Sequence, residues 1–160
     1  MAGVSSTNKE LFIVETAEPF SKLEIQFVPG QVKNTREARL QNIHVIGRND
    51  DLLHYVGGAE TLSLELDFYA QDSDMADVFK AVNWLKSLTM NNGNAGKFRN
   101  VKLIFGDLFK YQVWAIKKVD STMSHLSQEH KWLPLRAKVS LQLMLDPEKI
   151  RFIDDVRNGR

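Results

Sequence analysis

The sequence predicts a mainly β (α+β) fold: an antiparallel β-barrel or sandwich with one packed α-helix. Three observations carry this. From Gly57 to Ala70 the residues alternate, with Leu62, Leu64, Leu66 and Phe68 on one side and Ser63, Glu65, Asp67 and Tyr69 on the other. A two-residue period of that length is a strand with one face in a core. Leu135 to Leu145 does the same, with Ala137, Val139, Leu141, Leu143 and Leu145 opposed by Lys138, Ser140 and Gln142. Between them lies one helix, at about 74–89, where Met75, Val78, Phe79, Val82 and Leu85 form a single apolar stripe. Strands dominating around one embedded helix give a curled antiparallel sheet with the helix laid on it.

The remaining elements follow in order. Leu11 to Glu15 is a short apolar run, read as a first strand or an arm. Leu23, Ile25 and Phe27 alternate with Glu24 and Gln26 in a half-buried strand, which Pro29-Gly30 ends. Val32 to Gln41 is polar and reads as an exposed loop or helical turn. Asn42 to Ile46 reads as a strand closed by Gly47, and Asn49-Asp50-Asp51 as a turn. Gly57 and Gly58 suit a bend or bulge, because glycine tolerates backbone angles that other residues avoid.

Asp72 or Ser73 is placed to cap the helix, Asp74 and Asp77 favour its positive end, and Asn91-Asn92-Gly93 ends it. Trp84 lies off the stripe, facing a neighbouring loop or another subunit. Val101 to Phe105 is a short strand closed by Gly106-Asp107. Phe109 to Val119 reads as a long strand, with Tyr111, Val113 and Ala115 on one face and Trp114 and Ile116 on the other. Apolar residues on both faces suggest that a second subunit covers one of them. Asp146-Pro147 stops the last strand, and Glu148 to Arg160 alternates charge with Ile150, Phe152, Ile153 and Val156 like an amphipathic tail. The 160 residues form one domain. Residues 1–21 are an expected N-terminal arm and 146–160 an expected C-terminal tail, both reaching between subunits.

Composition narrows the function. Hydrophobic residues are 43% and charged residues 26%, which is globular rather than disordered. No apolar run approaches the ~20 residues of a membrane helix, and no membrane partner is expected. Without cysteine there is no disulfide, thiolate metal site or cysteine nucleophile. Net charge is +1, but it is unevenly placed. From Asn49 to Phe79 there are eight acids and no Lys or Arg; from Lys97 to Lys138 there are nine bases against three acids. Such polarity steers subunits together or marks two ordinary wet surfaces.

No catalytic, cofactor or metal site is expected. His125, Glu129 and His130 lack the spacing that sets two imidazoles on one helix face. His44 and His54 read as structural. Gly93-Asn-Ala-Gly96-Lys97-Phe98 is too short for a phosphate loop and has Phe after the lysine. Glu65 and Asp67 share a strand face, but nothing marks a pocket for acid–base chemistry. Trp114, Trp132, Phe109 and Tyr111 among lysines suggest a platform for single-stranded nucleic acid; the alternative class for the whole chain is a soluble β-barrel binding module for single-stranded nucleic acid or a small ligand. Tyr111 and Trp114 fall on opposite strand faces, which weakens the platform.

The order of motifs carries a resemblance. Phe27-Val-Pro-Gly30 ends an early strand, and Tyr55-Val-Gly-Gly58 leads into Leu62-Ser-Leu-Glu-Leu-Asp-Phe68. Val82-Asn-Trp-Leu-Lys-Ser-Leu88 follows, then Val101-Lys-Leu-Ile-Phe-Gly106, Val113-Trp-Ala-Ile-Lys-Lys-Val119 and Leu133-Pro-Leu-Arg-Ala-Lys-Val-Ser-Leu141. Together, over Lys22 to Leu145, they resemble the tube-type domain of contractile injection systems, found in bacteriophage tail and baseplate proteins. The resemblance implies a barrel with an attached helix, assembled as a six-membered ring that forms, starts or caps the tube through which DNA passes. Its partners would be copies of itself, the tail tube and baseplate hub proteins, and passing DNA without specific binding. The place would be the virion, after assembly in the host cytoplasm. Tube initiator or adaptor at the baseplate hub is the favoured role, with main tail tube and tail-end cap as alternatives. Larger relatives carry a wall-binding LysM module, and wall binding is not carried over to a sequence ending at Arg160. The family offers no catalytic residues. It suggests that Glu65 and Asp67 face the lumen or a ring contact, where carboxylates repel DNA. Trp84, Trp114, Ile116 and Phe152 are the expected subunit-interface residues.

Overall fold

The computed structural model describes residues 11–70, 75–90, 99–146 and 152–158. The strands are β1 Leu11–Glu15, β2 Lys22–Glu24, β3 Val32–Ile43, β4 Leu52–Tyr69, β5 Asn100–Phe105, β6 Trp114–Ser127 and β7 Leu133–Leu145. The helices are α1 Met75–Ser87 and the short α2 Ile153–Arg157. All seven strands join one antiparallel sheet in the order β2-β1-β5-β6-β7-β4-β3. The predicted class holds, but the sheet stays open: among the described residues β2 and β3 are its two edges, and the described strands close no barrel.

The two alternating stretches of the sequence form the centre of the sheet. β4 pairs with β7 from Thr61 opposite Met144 to Tyr69 opposite Arg136. Their inward residues Leu62, Leu64, Leu66, Phe68, Ala137, Val139, Leu141 and Leu143 are all buried. The two sides of the sheet meet at a narrow joint, where β5 touches β6 only at Asn100–Ala115 and Val101–Trp114. Across this joint Ile13, Val101 and Leu103 enter the same core as β4, β6 and β7. The strand reading holds for Leu11 to Glu15: β1 lies between β2 and β5 with Ile13 fully buried.

Helix α1 lies mainly across β7. Val78, Ala81, Val82 and Leu85 form its buried stripe, and Leu88, just past its end, is buried too. Phe79 was expected there but is 39% exposed, because one step of about 100° takes it past the edge of the stripe. The Met75 side chain, the expected caps Asp72 and Ser73, Asp74 and the Asn91-Asn92-Gly93 stop lie outside the described residues. None of the described helices is long and apolar enough to cross a membrane.

Four boundaries differ from expectation. Val32 to Gln41 is not a loop or helical turn but most of the twelve-residue β3. It lacks alternation because it is an edge strand whose residues are exposed on both faces almost throughout. The strand expected at Asn42 to Ile46 contributes only its first two residues, as the end of β3. The strand around Leu23 shrinks to three residues; Ile25 is buried but Phe27 is exposed. The strand expected from Phe109 begins only at Trp114. Gly106 and Phe109 take positive φ of 61° and 60° and fold the chain into turns, leaving the Phe109 ring edge-on to Trp114 at 5.5 Å.

Candidate functional site

The most distinctive surface is an arm. β4 is eighteen residues long, but β7 pairs with it only from Thr61. From Leu52 to Glu60 its described neighbour is β3 alone. The two strands leave the sheet as a ribbon. A bulge bends it: Arg39 lies opposite Gly57 and Leu40 opposite Tyr55, so Val56 is the extra residue. Gly57 has φ +143°, a conformation that side chains resist. A Cβ on Gly58 would meet the Glu37 carbonyl and the Tyr55 hydroxyl at 3.0 Å. The two glycines expected to make a bend therefore make one, for two different reasons.

Register gives each face of the arm its chemistry, since opposed residues share a face. The core face starts with Leu62 and Leu64, opposite Asn34 and Val32. A polar layer follows: the buried Glu60 carboxylate accepts from Asn34 Nδ2 at 3.0 Å and lies 3.2 Å from Arg36. Beyond it Leu40 opposes Tyr55 and Asn42 opposes Leu53, and the face is apolar again. Here no described residue covers it: Leu53 is 65% and Tyr55 56% exposed. Ile43, Leu52 and Val56 are exposed nearby, and Ile46 stands at the tip, where His44 Nδ1 lies 2.8 Å from Asp51.

The second surface is the polar face of the sheet. Glu65 and Asp67 do share it, each with a base diagonally across the strand boundary. Lys138 Nζ lies 3.1 Å from Glu65 and Arg136 3.6 Å from Asp67. The acidic and basic blocks of the sequence thus partly neutralise each other inside one chain. A shallow groove runs here beneath the Phe27–Gln31 turn, reaching Lys33, Ser63, Glu65, Asp67 and Ser140.

The expected interface residues separate into two kinds. Trp114 is fully enclosed and Ile116 nearly so, both within the chain's own core. Their strand begins later than expected, so what looked like an outer face is an inner one. Trp84 is half-buried, and its Nε1 donates to Ser21 Oγ at 3.0 Å. Of the two positions open to it, it takes the one over a neighbouring loop of its own chain. That serine donates to the buried Glu15, whose other oxygen lies 2.6 Å from Arg99. Phe152 is exposed just before α2.

Other chemistry stays unassembled. His130 Nδ1 is 3.2 Å from Ser127 Oγ, and no three His, Asp or Glu converge among the described residues. With Trp114 buried and Tyr111 and Trp132 exposed, the aromatics expected for nucleic acid form no common platform. The Gly93–Phe98 segment lies outside the described residues. The arm escaped sequence reading, although Leu52-Leu53 and Tyr55-Val56 were its signal: apolar residues without alternation, paired with a polar strand.

No protein-family model and no curated protein matches the sequence. Among solved structures, the chain is similar to a chain in the virion of a native gene transfer agent particle, at 13% identity and TM-score 0.43. It is also similar to a chain in the C6-symmetric tail of an empty gene transfer agent particle, at 13% identity and TM-score 0.41. Each match covers 89% of this chain and 95% of the other. Likeness this loose assigns no role to this chain.

Proposed function

We propose that the chain is a ring-forming structural component of a phage-type contractile tail, acting as the ring that starts or adapts the tube at the baseplate hub. Main tube ring and tail-end cap are neighbouring roles in the same assembly. The observation that carries the reading is the arm. A two-stranded ribbon is marginal in water by itself, and this one holds Leu40, Leu53, Tyr55 and Val56 in solvent. Exposed apolar surface of this kind belongs against another protein.

Two features support the reading. The open sheet leaves the edges of β2 and β3 to be met by other chains. The sequence motifs from Lys22 to Leu145 resemble the tube-type domain in order and spacing. On this reading Glu65 and Asp67, with Lys138 and Arg136, line the conduit or a ring contact. A wall of matched charges gives DNA, which is densely negative, no cluster of bases to hold it.

Negative-stain imaging of the purified protein tests the proposal. It predicts closed rings with six-fold symmetry, alone or stacked. A protein that remains monomeric at high concentration and with its tail partners present contradicts it.

A further inference from the structure

The bulge does more than bend the arm. On β3 the face that carries Val32, Asn34, Arg36 and Ala38 runs on to Leu40 and Asn42. Across from it β4 presents Leu64, Leu62, Glu60 and Gly58, then, past the bulge, Tyr55 and Leu53. Even-numbered residues of β4 hold this face on one side of Val56 and odd-numbered residues on the other. A ladder without the bulge would set Leu40 against Val56, Gln41 against Tyr55, Asn42 against His54 and Ile43 against Leu53. Leu53 and Tyr55 would then leave the face of Leu40 for the opposite one.

Side chains choose poorly between these two registers. The observed one matches Leu40 with Tyr55, Gln41 with His54 and Ile43 with Leu52, like with like, and sets Asn42 against Leu53. The regular one also makes three like pairs, and its mismatch is Gln41 against Tyr55. Leu62 and Leu64 are buried and pin the register of their part of β4, but Leu52 to Val56 are all exposed and no core pins theirs. What separates the two is Gly57. Its φ of +143° is open to glycine and resisted by side chains, whereas a regular antiparallel ladder has negative φ throughout. We infer that the arm is a register switch: Gly57 holds the form that gathers Leu40, Tyr55 and Leu53 on one face, and a slip of one residue carries Leu53 and Tyr55 to the other. The use of the switch in assembly rests on the ring-forming reading; the switch itself belongs to the single chain.

The chain has no cysteine, so engineered pairs report the register. Asn42→Cys with Leu53→Cys are opposed in the observed register. Asn42→Cys with His54→Cys lie on opposite faces there and meet only after the slip. The internal disulfide of each dilute, full-length double variant is measured in a thiol–disulfide buffer. A Cβ on Gly57 meets nothing within 4 Å, so Gly57→Ala alters the backbone preference alone. The inference predicts the bond between positions 42 and 53 in the unmodified background. With Gly57→Ala the balance should move about tenfold toward the bond between positions 42 and 54. Deleting Val56 as well removes the extra residue and should restore the first bond. Where the register moves, the concentration needed for ring assembly should rise by the same factor. A Gly57→Ala chain that keeps the first bond and forms none of the second overturns the switch. A moved register with unchanged assembly overturns its use. Absence of rings from the unmodified chain overturns the ring reading and leaves the register result standing.

Discussion

Lys138 reaches diagonally across the β4–β7 boundary to place its Nζ 3.1 Å from the Glu65 carboxylate. Arg136 repeats the arrangement toward Asp67 one step along the strands. In sequence these residues belong to an acidic block and a basic block far apart. In the fold they form a ladder of opposite charges on one wet face. Both members of the first pair are more than half exposed, so the ladder contributes little to stability: a double-mutant cycle with Glu65→Gln and Lys138→Met should give a coupling below about 1 kcal/mol. A much larger coupling in urea unfolding would mean the face is drier than the structure places it.

The pair of Glu15 and Arg99 is different, because the Glu15 side chain is only 3% exposed. Arg99→Met strands a buried carboxylate and should cost about 3–5 kcal/mol in chemical denaturation. Replacing both residues by Met should cost less than that single change. A small effect of Arg99→Met alone would show that Ser21 and solvent suffice for Glu15.

Trp84→Phe removes the Nε1 donor to Ser21 together with part of the half-buried indole ring. The expected cost is about 0.5–1.5 kcal/mol, without loss of assembly. Loss of assembly with stability intact would instead make Trp84 a contact between subunits.

Trp114 tests the division between core and surface. Because it is enclosed by its own chain, Trp114→Ala should lower monomer stability by about 3–5 kcal/mol. An unfolding midpoint near that of the unmodified chain would place the residue in an interface after all.

The centre of the fold was legible in the sequence, and its margins were not. β4 and β7 are each buried on one face, so their alternation is strong, and Val78, Val82 and Leu85 mark the helix. β3 was missed because an edge strand exposed on both sides imposes no pattern on Arg36, Glu37 or Arg39. The arm was missed with it, since Leu53 and Tyr55 make a patch only once β3 lies opposite them. The charge balance of Glu65 and Asp67 was hidden for a similar reason: register, not proximity in sequence, brings Lys138 and Arg136 alongside. Trp114 and Ile116 were misplaced because the turns through Gly106 and Phe109 delay the start of β6.

The central claim is that the arm holds copies of this chain together. Sedimentation velocity on the unmodified protein and on Leu40→Asp with Leu53→Asp tests it most directly. Both positions lie beyond the polar layer that closes the core, so the variant should fold with the same unfolding midpoint. The account predicts ring-sized particles for the unmodified chain and a folded monomer for the variant. Particles of equal size from both proteins, or a monomer from both, would contradict it.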